Sequence, residues 1–162
     1  MLIDMEWSDE GGEGSAAFPF FHTDVEVLVS GEVEVAYAER CAKVLDGLNL
    51  SQNSQLRLML DLMSATWRYW RSRRRTLFPG PMLQPHEVLK TVHPTGLVIM
   101  PPSGTGYAFS IEFNCDWAKE HGMGWCIRND EAIYVGPYQD NDPWADIDDF
   151  DMNYVRLGLP SK

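Results

Sequence analysis

Residues 107–136 read YAFSIEFNCDWAKEHGMGWCIRNDEAIYVG, and their pattern is the strongest indication of a sheet in this sequence. From residue 107 to 114, large apolar residues alternate with smaller or polar ones, which is the period-two pattern of a strand with one buried side. Residues 125–128 and 132–135 are two more apolar runs, separated by a short turn. Together with the apolar run at 97–100, they predict an antiparallel meander of about four strands.

The sequence before residue 97 predicts one strand followed by helices. Val25, Val27 and Val29 occupy every second position, as expected for a strand with one buried face. Apolar residues then take helical spacing from about 36 to 46. A second helix is predicted from 52 to about 73, with Ser51 as its N-cap, and a short one at 85–90. The predicted fold class is α+β, an N-terminal strand and two-helix segment packed on a C-terminal antiparallel meander.

The size and composition of the chain indicate one domain covering residues 1–162. At 162 residues with 44% hydrophobic residues, the chain can bury a sizeable core without metal or disulfide cross-links. Residues 1–14 are acidic and glycine-containing, so we expect them to be flexible, and residues 137–162 form an acidic C-terminal extension. The three cysteines lack metal-site or disulfide spacing. No stretch resembles a membrane span or a secretory leader, and we expect a cytoplasmic protein.

The net charge limits the classes of partner. Thirteen Lys and Arg against 24 Asp and Glu give a formal charge of −11, which argues against nucleic-acid binding because phosphate affinity depends on cationic side chains. Five arginines nevertheless crowd into positions 68–75. These fit a solvated final helical turn, where cations complement the helix dipole, and a nucleic-acid contact is the less favoured reading.

A loop between two predicted strands carries a recognisable pattern. Trp117, Glu120, His121, Gly122 and Gly124 form the sequence W-x-x-E-H-G-x-G. This pattern, followed by a strand, a short turn and another strand, resembles an uncharacterised family of small bacterial domains associated with toxin-immunity loci. The resemblance implies helices before a C-terminal sheet, and no enzymatic activity can be carried over from that family.

The loop has a structural and a chemical interpretation. In the structural one, the two glycines allow positive φ or close backbone approach, Trp117 anchors the connection, and Glu120 and His121 satisfy loop amides. In the alternative, a hydrolase or metal-dependent enzyme is centred on Asp116, Glu120 and His121, with Cys115 as a nearby nucleophile. No HExxH, EF-hand, P-loop or dinucleotide motif occurs, so we predict neither a metal nor a cofactor.

The acidic extension is the predicted partner-binding segment. Eight acidic residues and no Lys or Arg lie between positions 130 and 151. Such a field speeds encounter with a basic partner, and aromatic residues supply anchors at interfaces. Together with this segment, the resemblance to domains of toxin-immunity loci implies a non-enzymatic immunity-type module that occludes the basic surface of a toxin, and this is the preferred hypothesis. The predicted binding residues are Asp140, Asp142, Trp144, Asp146, Asp148, Asp149, Phe150 and Asp151.

Overall fold

The computed structural model describes residues 1–48, 54–73 and 85–157. The strands in this part of the chain are β1 (Leu2–Ser8), β2 (Gly11–Phe18), β3 (Thr23–Ser30), β4 (Val92–Ile99), β5 (Ala108–Cys115), β6 (Met123–Arg128) and β7 (Glu131–Pro137). The helices are α1 (Val35–Asp46), α2 (Ser54–Arg73), α3 (Pro85–Val88) and α4 (Tyr154–Leu157). Short 3-10 turns occur at Pro19–Phe21, Leu89–Thr91 and Ile147–Asp149.

The strands form one mixed sheet in which spatial order follows chain order, from β1 to β7. Neighbouring strands are antiparallel except β3 and β4, which pair in parallel from Glu26 opposite Gly96 to Val29 opposite Ile99. The prediction of an N-terminal strand and two-helix segment packed on a C-terminal antiparallel meander of about four strands is therefore wrong. The four predicted strands do form a meander, β4 to β7, but the parallel pair extends it with three N-terminal strands. A parallel pairing requires a long crossover, and α1, α2 and α3 lie on it.

Residues 1–14, which we expected to be flexible, contain β1 and the first half of β2. The sequence of this hairpin lacks the alternating apolar pattern of a strand, because its apolar contacts come from side chains that lie over glycines. A Cβ at Gly12 would lie 2.7 Å from the Trp7 ring, and one at Gly14 would lie 2.5 Å from the Met5 sulfur. The glycines therefore make room for Trp7 and Met5, and no alternating pattern is visible in β2 itself.

The two long predicted helices are confirmed within the described residues. Helix α1 buries Ala38, Cys41 and Leu45, spaced three or four residues apart, and it packs on β2 and β4. Helix α2 spans Ser54–Arg73 and packs on β7, while the predicted start at residue 52 lies outside the described residues. The proposed N-cap Ser51 lies outside the described residues, as do Arg74 and Arg75 of the arginine cluster.

One face of the sheet is covered by these helices and forms the main core. Val25, Val27 and Val29 of β3 are at most 2% exposed, as the alternation predicts. The buried side chains of α1, α2 and this helix-covered face belong to a single apolar cluster. On the opposite face, the described residues cover only a part of the sheet. The chain after β7 returns across β5 to β7 and covers this part, and the returning segment carries the predicted binding residues.

Candidate protein-binding surface

The segment after β7 packs on the opposite face through a second, smaller apolar cluster. Cys126 and Tyr134 are buried there with Phe150, and Ala145 and Ile147 pack against them. The Phe150 and Tyr134 ring centroids are 5.2 Å apart. Phe150, predicted to enter a hollow on a partner, thus has its side chain inside this protein.

Polar contacts fix the same segment at several points. Arg128 Nη1 donates to the carbonyl oxygens of Trp144 (3.1 Å) and Ala145 (3.2 Å). The Ser110 hydroxyl donates to the Asn141 carbonyl at 3.3 Å, and buried Asn153 donates from its amide to Ile133 of β7 at 2.7 Å. Hydrogen bonds from an ionised donor are roughly twice as strong as neutral ones, so the two bonds from Arg128 contribute strongly to holding this segment on the sheet.

The six predicted aspartates lie on the outside of this fixed segment. We call them the aspartate tract, and all six are exposed: Asp140, Asp142, Asp146, Asp148, Asp149 and Asp151. Asp142 accepts a hydrogen bond from the Trp144 amide (2.8 Å), and Asp146 accepts one from the Asp148 amide (3.1 Å). Asp148 forms an exposed ion pair with Arg156 at 2.6 Å. Local turns therefore hold two of the carboxylates in place, and one of the six has a cationic partner among the described residues.

Trp144 stands between the tract and the sheet. Its side chain is half-buried, and a Cβ at Gly104 would lie 2.7 Å from its ring, so the indole packs directly on that glycine. The indole Nε1 is buried without a hydrogen-bond partner in the described residues. Trp144 thus anchors the tract to the β4–β5 connection and offers a partner only part of its ring.

The W-x-x-E-H-G-x-G loop joins β5 to β6, and its glycines differ. Gly122 has φ +61°, and a Cβ there would lie closer than 3.0 Å to the Phe113 carbonyl oxygen. At Gly124 a Cβ would meet only ordinary contacts, the nearest at 3.7 Å to Tyr134. Trp117 is 9% exposed and belongs to the main core. Trp117 and Gly122 therefore have structural roles, the one in packing and the other in the turn.

The acidic and basic side chains of this loop point into solvent. Glu120 and His121 are exposed, and neither side chain has a hydrogen-bond partner among the described residues. Asp116 pairs with His93 of β4 rather than with His121. The distance from His93 Nε2 to Asp116 Oδ1 is 3.4 Å, and both side chains are more than half exposed. Burial raises the pKa of the Cys115 thiol to about 12, with the Asp116 charge as a second cause. A thiol of that pKa is almost fully protonated at neutral pH, which disfavours nucleophilic chemistry.

All three cysteines are free, and all are buried. Within the described ranges, no group of three or more His, Cys, Asp or Glu side chains is arranged to hold a metal ion. The helices of the described residues include none with the length and hydropathy required to cross a membrane.

Four glutamates that the sequence patterns did not single out share the uncovered half of the opposite face with the exposed Leu28. They are Glu6, Glu13, Glu26 and Glu112. The available signal was the polar half of the Val25–Val29 alternation, in which Glu26 and Leu28 are the outward residues.

Comparison with known proteins finds a match to a protein family. No curated protein and no solved structure shows significant similarity to the chain. The matching family is described as "Domain of unknown function (DUF6985)", and the match covers residues 2–142, from β1 into the beginning of the aspartate tract. The covered region contains the whole sheet and the W-x-x-E-H-G-x-G loop, and the chain therefore belongs to this family of domains of unknown function.

Proposed function

We propose that this chain is a non-enzymatic protein-binding module of the immunity type, which neutralises a bacterial toxin by occluding a basic surface. The observation that carries the proposal is the aspartate tract, six exposed carboxylates on a segment fastened to the sheet by Arg128, Asn153 and an apolar cluster. A charged surface that is already ordered binds with a smaller entropic cost than one that must be ordered on contact.

The charge pattern supports a basic partner. Five of the six tract carboxylates have no ion pair in the described residues, and the chain carries a formal charge of −11. Complementary potentials raise association rates and select partners more than they raise affinity. The cytoplasmic location and bacterial origin belong to the same proposal, and the resemblance of the W-x-x-E-H-G-x-G loop to domains of toxin-immunity loci supports them.

The hydrolase alternative centred on Asp116, Glu120 and His121 receives less support from the geometry. Asp116 pairs with His93, and the Cys115 thiol is buried with a raised pKa. A general base must come within hydrogen-bond reach of the proton that it removes, and a nucleophile must be accessible to substrate. We therefore favour binding over catalysis.

Co-expression with the products of the neighbouring genes, followed by affinity capture, tests the proposal. Isosteric Asp→Asn substitution at all six tract positions preserves the local turns, because the amide oxygen can still accept from Trp144 and Asp148. A charge-matched control replaces six exposed carboxylates outside the tract, at Glu32, Glu34, Glu39, Asp46, Glu120 and Glu131. We expect the tract variant alone to capture a basic partner more weakly than the wild type does. Equal retention of the partner by both variants contradicts the proposal.

A further inference from the structure

On the opposite face of the sheet, one half is not covered by any segment that the structure describes, and it lies beside the part that the C-terminal segment covers. Paired positions place Glu13, Leu28 and Val98 in one row across β2, β3 and β4. The next row contains Glu26, Gly96 and Glu112 on β3, β4 and β5. We call these six residues the open face, and Leu28 is its exposed apolar centre, with 46% of its surface accessible.

Two carboxylates of the open face flank a strand position without a side chain. Glu26 and Glu112 pair with Gly96 from opposite sides, so their strands are two sheet spacings apart, roughly 9–10 Å. The Glu112 carboxylate leans towards the gap, since its Oε2 would lie 3.4 Å from a Cβ at Gly96. The gap between the two glutamates is thus open above Gly96 and acidic on both sides.

This gap is a cleft of about 170 Å³, with Leu28, Val98 and Thr95 completing its lining. A water molecule needs roughly 10–15 Å³ of cavity volume measured in this way. The cleft therefore has room for on the order of ten waters or for one long side chain. Its lining combines apolar carbon with two carboxylates, which matches the aliphatic stem and cationic head of Arg or Lys.

The charge around the cleft has one sign. Glu6 and Glu13 lie directly opposite each other on β1 and β2, an arrangement that destabilises a sheet. A second cleft of about 400 Å³ begins beyond Leu28 and is lined by Glu6, Glu10 and Glu13. Among the described residues, no Lys or Arg lines either cleft. Like charges held opposite each other at a cost to folding favour a cationic occupant for this surface.

We propose that the open face is the specificity site for the basic partner, with an arginine or lysine side chain laid over Leu28 and its cation held between Glu26 and Glu112. The inference rests on the proposed function in taking a basic protein as the partner, but it places the anchoring contact on the sheet rather than on the aspartate tract. The tract steers the partner, and the cleft above Gly96 selects the cationic side chain. Tyr138, whose pKa is raised by burial and by Glu112 and Asp140, links the two surfaces.

The test uses a blocked Gly-Arg-Gly peptide and the same peptide with citrulline, which keeps the shape of arginine but has no charge. Binding is followed by amide chemical shifts of the labelled full-length protein. We expect saturable shifts around Leu28 and Gly96 with the arginine peptide and affinity at least about tenfold weaker with citrulline, since charged hydrogen bonds exceed the ~1.4 kcal/mol that corresponds to tenfold.

Three variants locate the contact. The double variant Glu26→Gln/Glu112→Gln removes the charges, and Gly96→Leu fills the cleft while keeping them. Both should lose the arginine-dependent shifts. The control Glu32→Gln/Glu34→Gln/Glu39→Gln changes exposed carboxylates outside both surfaces and should retain these shifts. Equal shifts with both peptides, no saturable shifts, or the same loss in this control would each overturn the inference. The co-expression test of the proposed function does not depend on these outcomes, so the two can fail separately.

Discussion

Gly122 in the loop between β5 and β6 gives a prediction whose magnitude follows from the backbone. Its φ of +61° is a left-handed conformation that costs an ordinary residue about 1–2 kcal/mol. An alanine Cβ would also collide with the Phe113 carbonyl oxygen, and such overpacking typically costs about 1–3 kcal/mol more. We therefore expect Gly122→Ala to lower the free energy of unfolding by about 2–5 kcal/mol, or the melting temperature by at least about 4 °C for a chain of this size.

The matched control for this prediction is Gly124→Ala, two residues away in the same motif. A Cβ at Gly124 meets its nearest neighbour at 3.7 Å, which is an ordinary contact. Where the backbone is compatible, Gly→Ala stabilises by about 0.4–1 kcal/mol through the unfolded chain, so the control should stay within about 1 kcal/mol of the wild type. Urea unfolding monitored by tryptophan fluorescence measures both variants. If Gly122→Ala is neutral, or if both variants lose the same stability, the assignment of a turn role to Gly122 alone is refuted.

Three further perturbations follow from the same structure. Glu13→Gln should raise the free energy of unfolding by about 0.2–1 kcal/mol in urea melts by relieving its repulsion with Glu6, and a loss of stability would contradict the like-charge pair. Phe150→Ala should cost about 3 kcal/mol, because the ring is buried on Tyr134, and a cost below about 1 kcal/mol would mean that the segment is not packed there. Burial raises the pKa of the three cysteine thiols to about 11 or 12. The contribution of the protonated thiols to the free energy of unfolding is therefore complete below about pH 9, and it declines as the pH rises towards 12. Thiol reagents should label the native protein at pH 8 far more slowly than the urea-unfolded chain, and equal rates would exclude buried thiols.

Local patterns in the sequence predicted the elements whose faces differ in polarity. The alternation of Val25, Val27 and Val29 gave β3, and the helical spacing of Ala38, Cys41 and Leu45 gave α1. Both signals arise because each element buries one side only.

The rest of the fold depends on contacts between distant segments. Strands β1 and β2 are held by Trp7 and Met5 lying over Gly12 and Gly14, a relation that no periodicity within either strand reveals. The parallel pairing of β3 with β4 joins segments separated by the helical crossover, and it converts a separate strand and meander into one sheet. Register between such segments is set by the tertiary core rather than by local propensity.

The sequence predicts only the part of the candidate site that is visible in local composition. A run of aspartates is visible in composition, and all six are exposed. Phe150 points inward because it packs on Tyr134 of β7, and the sequence alone does not show that these two residues lie next to each other. Glu26 and Glu112 come together only across Gly96, so the cleft between them is a product of the parallel pair.

The central claim is that this protein acts through an ordered negative surface on a basic partner, and the dissociation constant of the captured complex tests it most directly. Exposed ion pairs contribute about 0.2–1 kcal/mol each, so neutralising the six tract aspartates should weaken binding by about tenfold or more, and added salt should weaken the wild-type complex while having much less effect on the variant. The charge-matched control outside the tract should bind like the wild type. A complex whose dissociation constant is unchanged by salt and by the tract substitutions would contradict the account.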